Sequence, residues 1–175
     1  DGQFCILGTE GGVVYKWLPR ENLLLPYPGG HNGWVSSISI SSDGQFFLTG
    51  GSDQIARLWS NKSNRTIQAF LGHTDRISAV ALSPDGKSCL TASKDFTLRL
   101  WDAYSGKIKT VFSGVHEKVI TDIAFTPDGT KFLTGNRFEP ARIWELETRR
   151  PLGTFPEIRV PFSTSLNSIL TGGQD

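Results

Sequence analysis

Apolar residues come in short runs closed by turn residues all along the chain, and residues 77–112 show one full round of the pattern. Ile77 to Leu82 is apolar and β-favouring and stops at Ser83-Pro84-Asp85-Gly86; Ser88 to Ala92 follows and stops at Lys94-Asp95. Thr97 to Trp101 comes next, then the turn Tyr104-Ser105-Gly106, then Lys107 to Phe112. Runs of about five such residues between Gly, Pro, Asp and Ser clusters predict four strands joined as an antiparallel meander. Ile77, Ala79 and Ala81 make one face of the first strand apolar, while Val80 and Leu82 load the other. A strand apolar on both faces is covered on both, so its sheet is expected to be sandwiched between neighbours. In the last run Lys107 and Lys109 alternate with Ile108 and Thr110, as expected of a half-exposed edge strand.

The round repeats. Trp17, Trp59, Trp101 and Trp144 lie 42, 42 and 43 residues apart, and Leu7, Thr49, Thr91 and Thr134 keep the same intervals. His31, His73 and His116 follow at 42 and 43. Three residue types holding one register define a repeat architecture built from one supersecondary unit.

Composition narrows the partner classes. The 175 residues are 38% hydrophobic and 20% charged, as in a soluble globular protein with a sizeable core. Lys plus Arg is 18 against 17 for Asp plus Glu, a net charge of +1, so the cationic excess that drives nonspecific nucleic-acid binding is missing. Cys5 and Cys89 stand at matching places of two units (DGQFC and DGKSC), which puts them in different sheets. Two buried, reduced thiols are expected, and with them a reducing, cytoplasmic setting. No apolar run approaches the roughly 20 residues that cross a bilayer. The first residues do not read as a signal peptide, but DGQF is mid-repeat sequence, so a leader could lie outside this chain.

Gly72-His73 and Trp101-Asp102, Gly30-His31 and Trp59-Ser60, and His116 with Trp144-Glu145 complete the pattern. These residues and their register resemble the WD-repeat family, whose units of about 40–45 residues carry a GH…WD signature. The resemblance covers nearly the whole chain. It implies an all-β fold, a WD-type β-propeller of four-stranded antiparallel blades around a central channel, here incomplete at both ends. The expected division is a partial first blade over 1–29 (strands b–d), blades over 30–71, 72–114 and 115–156, and a partial fifth over 157–175 (strands a–b). Because open sheet edges must be covered, three closures are expected to compete: a longer propeller chain, a homodimer closing an eight-bladed ring, or four blades closing alone.

The resemblance also implies a buried hydrogen-bonded chain in each blade, made in the third unit by His73, Ser93, Asp95 and Trp101. Its counterparts elsewhere are His31, Asp53 and Trp59, then His116 and Trp144, with Trp17 in the first unit. Only the third unit carries the whole set: Gly51 stands at the Ser position of the second, and Asn136 and Phe138 replace Ser and Asp in the fourth, leaving His116 without its carboxylate. His, Asp and Ser suggest a catalytic triad, but they recur once per blade, and triads are recognised by geometry. The three histidines belong to three blades and are not expected to converge on a metal. There is no Gly-rich phosphate loop, nucleophile elbow, HExxH or CxxC, and Glu145 and Glu147 fit an exposed strand-to-turn segment. No catalytic residue, metal or cofactor is therefore expected, and the chain reads as a non-enzyme.

WD propellers bind partners on the rim where the d–a and b–c connections emerge. Transferred by register, the candidate partner-binding residues are Trp34 and Ser36, Arg76 and Ser78, Val119 and Thr121, with Ser52, Lys94 and Arg137 ahead of the turn acid. Trp34 stands outside the Trp register, so the blade-core role does not explain it, and Trp and Arg are frequent hot spots; packing under a loop is its plainer alternative. The leading expectation is a non-catalytic interaction scaffold or regulatory propeller for a protein or peptide, with no membrane role. The alternatives are a reader of an acidic peptide or nucleic acid through the Arg76, Lys94 and Arg137 rim, or a regulatory domain of a larger enzyme.

Overall fold

The computed structural model describes residues 4–156 and the strand backbones of 162–164 and 169–171. Its regular structure is entirely β. The first sheet has three strands, β1 (Cys5–Gly8), β2 (Val14–Leu18) and β3 (Leu23–Tyr27), in that order. Three four-stranded meanders follow: β4 (Val35–Ile40), β5 (Phe46–Gly51), β6 (Ala56–Ser60) and β7 (Arg65–Phe70); β8 (Ile77–Leu82), β9 (Ser88–Ser93), β10 (Thr97–Asp102) and β11 (Ile108–Ser113); β12 (Asp122–Phe125), β13 (Lys131–Gly135), β14 (Ala141–Glu145) and β15 (Pro151–Phe155). A two-stranded sheet, β16 (Phe162–Thr164) with β17 (Ile169–Thr171), closes the order. Every pairing is antiparallel between sequence neighbours, as the short turn-punctuated runs predict.

The turn between the first two strands of each meander is built by its own side chains. Ser83 Oγ donates to Asp85 Oδ1 at 2.7 Å, the Gly86 N–H closes on Ser83 O at 2.9 Å, and Gly86 takes a φ of 68° that favours glycine. Ser41–Asp43 and Thr126–Asp128 repeat the side-chain contact.

Packing is between sheets, and the three cores lie in the three gaps. Ile6, Val14 and Tyr27 of the first sheet meet Phe47 and Trp59 of the second. Leu48, Leu58 and Phe70 of the second meet Val80, Leu82 and Trp101 of the third. Ala79, Ala81, Leu98 and Phe112 of the third meet Ile123, Phe132 and Trp144 of the fourth. Alternate residues of β8 thus feed cores on opposite sides, as its two-sided apolar pattern requires. Ile77 departs from the simple alternation and packs with Val80 and Leu82, because the β8–β9 register shifts between Ile77 and Ala79 and Ser78 bulges out.

One aromatic contact recurs in each gap. The tryptophan of a sheet packs on an aromatic at or next to the end of the preceding sheet's outer strand: Tyr27–Trp59 at 5.7 Å between centroids, Phe70–Trp101 at 5.5 Å and Phe112–Trp144 at 6.0 Å. Each of these tryptophans sits at a bulge against its outer strand. The first sheet has no such shift, and Trp17, expected to serve in the same core, is instead 36% exposed with no ring partner among the described residues. The cysteines also split. Cys89 is buried, where desolvation pushes its thiol up, whereas Cys5 is exposed on β1 because that sheet has no strand inside it among the described residues.

Candidate functional site

The buried polar chain and the candidate rim share one end of the sheets. In the third sheet the Trp101 indole N–H donates to Thr91 Oγ1 at 2.9 Å, and Thr91 Oγ1 lies 2.7 Å from His73 Nε2. His73 Nδ1 then meets Asp95 Oδ2 at 2.8 Å. The Asp95 carboxylate only accepts, so Nδ1 carries the imidazole proton and donates to it, and the neutral ring accepts the Thr91 hydroxyl proton at Nε2. Burial, the largest influence, holds the His73 pKa below the usual imidazole value in keeping with this. Burial pushes the Asp95 carboxyl upward, but hydrogen bonds from the Thr97 hydroxyl, His73, and the Thr74 and Thr97 N–H groups outweigh it and hold its pKa at about 2. The relay is therefore Thr91. Ser93, expected in that place, instead donates to Asp75 O at 2.8 Å and accepts from Asp95 N, which shapes the turn.

This shift completes the second sheet, where the set had been expected to be broken. Trp59 donates to Thr49 at 2.9 Å, Thr49 lies 2.7 Å from His31 Nε2, and His31 Nδ1 meets Asp53 Oδ1 at 2.8 Å. Arg57 adds a 2.7 Å ion pair to the other Asp53 oxygen. Gly51 leaves nothing missing, and a Cβ there would run into the His31 imidazole and the Asp53 carboxylate. The fourth sheet keeps Trp144–Thr134 and Thr134–His116, both at 3.0 Å. Its carboxylate is not lost, as the turn sequence suggests, but moved one residue on: Glu139 Oε2 lies 3.2 Å from His116 Nδ1. The approach is too oblique for a hydrogen bond, so this buried nitrogen has none among the described residues. The hydroxyl–histidine–acid order is that of a triad, but Thr49, Thr91 and Thr134 are fully buried and each accepts an indole N–H.

The same acids tie the two rim connections together. Asp53 accepts from Asn32 N, Asp95 from Thr74 N, and Glu139 from Glu117 N and Lys118 N. The residue ahead of each acid is pinned in turn: Ser52 N donates to Trp34 O and Lys94 N to Arg76 O, both at 3.0 Å. Register thus brings Trp34 beside Ser52 and Arg76 beside Lys94. Across the gap between sheets two and three, the Arg76 guanidinium lies over the Trp34 ring, 5.2 Å from its centroid. Trp34 is 44% exposed, and neither Arg76 nor Lys94 has an acidic partner among the described residues. Ser36 and Ser78 use their hydroxyls internally, on Gly50 O and Ile120 O. Val119 is half-buried, while Thr121 and Arg137 are exposed. Two rim aromatics escape the register rule: Phe96, 56% exposed, and Phe138, 74% exposed. Their signal in the sequence is a large apolar residue inside a turn.

With that geometry in hand, the chain matches the sequence pattern described as WD domain, G-beta repeat, over residues 23–60, 64–102 and 106–137, together more than half its length. It belongs to that family. Each matched unit begins on the outer strand of one sheet (β3, β7 or β11) and continues through the inner strands of the next, so sequence repeats and sheets interlock. No curated protein matches the chain. Repeats of this family generally mediate protein–protein interaction, and the family is typically non-catalytic.

Proposed function

We propose that this chain is a non-catalytic interaction propeller that binds a protein through the rim at Trp34, Arg76 and Lys94. The observation that carries the reading is the Trp34–Arg76 stack, an exposed aromatic and an unneutralised cation held together by residues of two adjacent sheets. An exposed cation–π pair adds only about 0.5–1 kcal/mol, little reason for a fold to leave a tryptophan in water, whereas Trp and Arg together are the usual anchors of an interface. Arg76 and Lys94 favour an acidic peptide over nucleic acid, since the chain's net charge is +1 and phosphate tracking needs a broad cationic face. The cytoplasm suits the exposed Cys5 thiol and the buried one at Cys89. We also favour completion of the ring by further blades of a longer chain over a homodimer. The test is affinity capture with wild-type and Trp34→Ala/Arg76→Ala bait. Partners lost from the variant at unchanged folding support the reading, and identical partner sets overturn it. Capture that collapses between low and moderate salt and is abolished by nuclease identifies a nucleic-acid reader instead.

A further inference from the structure

Phe96 takes φ 63°, in the left-handed region that a bulky side chain adopts only at a cost, and it does so with its ring in solvent. The matching position of the second sheet, Gln54, has φ 68°, so the turn itself demands this conformation, and glycine would satisfy it without strain. Phe138 stands where Asp53 and Asp95 stand in their sheets. Moving the carboxylate to Glu139 frees position 138 to carry the most exposed large apolar side chain of the chain's described residues. Neither ring stacks on another ring or carries a cation among the described residues. Strain at one position and exposure of most of a large ring at the other are both unfavourable for folding. Both follow Lys94 and Arg137 in b–c turns of adjacent sheets, on the end of the blades that holds Trp34 and Arg76.

The geometry points to Phe96 and Phe138 as a second part of the rim site, which takes the apolar side chains of an acidic, amphipathic peptide segment. The carboxylates of that segment lie on Arg76 and Lys94, and its large apolar residues cover Phe96 and Phe138. This rests on the rim reading above and extends it from two sheets to three. Acidity is set by two cations without an acidic partner among the described residues, and amphipathicity by the exposed rings at the same end of the sheets. A bare polyanion would leave those rings in water.

The experiment is selection of phage-displayed random 12-residue peptides on the full chain, followed by affinity measurement of selected peptides against Phe96→Gly, Phe138→Ser and Trp34→Ala/Arg76→Ala. Expected are sequences enriched in both Asp/Glu and Phe/Leu/Trp, with at least about ten-fold weaker binding to Phe96→Gly and to Phe138→Ser. Phe96→Gly should melt no lower than wild type, because it relieves the turn, so a folding defect cannot account for the loss. Peptides that bind both phenylalanine variants like wild type but lose Trp34→Ala/Arg76→Ala overturn this inference and leave the rim reading standing. Binding unaffected by any of the variants overturns both, as does selection of sequences without acidic residues, whereas acidic sequences without large apolar residues overturn this inference alone.

Discussion

Thr91 accepts the Trp101 indole N–H at 2.9 Å and lies 2.7 Å from His73 Nε2, so one hydroxyl satisfies two buried rings, one on β10 and one in the connection before β8. Thr91→Val keeps the shape and removes both bonds, leaving an indole donor and an imidazole acceptor unpaired. We expect a loss of about 2–4 kcal/mol. Ser93→Ala removes the bonds to Asp75 O and from Asp95 N and leaves the indole and imidazole paired, so it should cost less, about 1–2 kcal/mol. Denaturant unfolding orders the two, and a larger loss for Ser93→Ala than for Thr91→Val contradicts the relay.

The acids at the next link are equally placed in two sheets. Asp53 and Asp95 each accept from a histidine and from backbone N–H groups of both rim connections. Asp53→Ala and Asp95→Ala are both expected to cost about 3 kcal/mol, through the donors they orphan. Asp43→Ala, whose partners are local to one exposed turn, should cost about 1 kcal/mol or less. Melting temperatures of the three variants check this, and near-equal values for Asp43→Ala and either of the others count against it.

How far the sequence reveals this arrangement depends on what each residue's position encodes. Trp59, Trp101 and Trp144 are legible because a fixed period and a large buried ring leave one role open. The Thr91 relay is not, because Thr91 and Ser93 lie two apart on β9 and share a face, so only the distance to Nε2 separates them. Glu139 is hidden by a one-residue slip in its turn, and register arguments fail at such slips. Trp17 keeps its register, but its sheet has no bulge beside it and no outer-strand aromatic packs on it among the described residues. Trp34 and Arg76 are each legible as rim positions, whereas their stacking depends on the twist between two sheets and is written in neither repeat alone.

Acid should weaken the fold in two windows. Burial holds the His31, His73 and His116 pKa values below normal, while in the unfolded chain they protonate near 6.5. The unfolded state therefore binds more protons as pH drops below about 6.5, and stability, complete above that value, falls. Asp95, held at about 2, adds a second loss as pH falls from about 4 toward 2. His31→Gln/His73→Gln should be less stable at pH 8 but lose much less between pH 7 and pH 5. Parallel pH curves for that variant and wild type would refute the assignment.

The inter-sheet aromatic contact predicts unequal costs along one register. Phe70 is buried against Trp101, and Phe70→Ala should cost about 3–5 kcal/mol. Phe155 occupies the same place on β15, is 36% exposed and has no ring partner among the described residues, so Phe155→Ala should cost about 1 kcal/mol or less in this chain. If another blade covers Phe155 in solution, the second value rises toward the first. Unfolding of both variants, measured beside the mass of the particle in solution, reads that difference directly.

The fourth sheet should open before the second and third. His116 Nδ1 is buried without a hydrogen bond among the described residues, and Glu139 must serve from a turn one residue longer in reach. An unsatisfied buried nitrogen costs about 1–3 kcal/mol, and local opening takes its free energy from such deficits. Amides of Phe132, Leu133 and Thr134 in β13 are therefore expected to exchange about ten- to a hundred-fold faster than those of Leu48 and Thr49 in β5 or Leu90 and Thr91 in β9. Trp144 keeps its bond to Thr134, so the difference isolates the histidine–carboxylate link and not the indole. Hydrogen exchange followed at these residues decides it: equal protection across the three sheets means the oblique Glu139 contact serves as well as the aligned ones at Asp53 and Asp95.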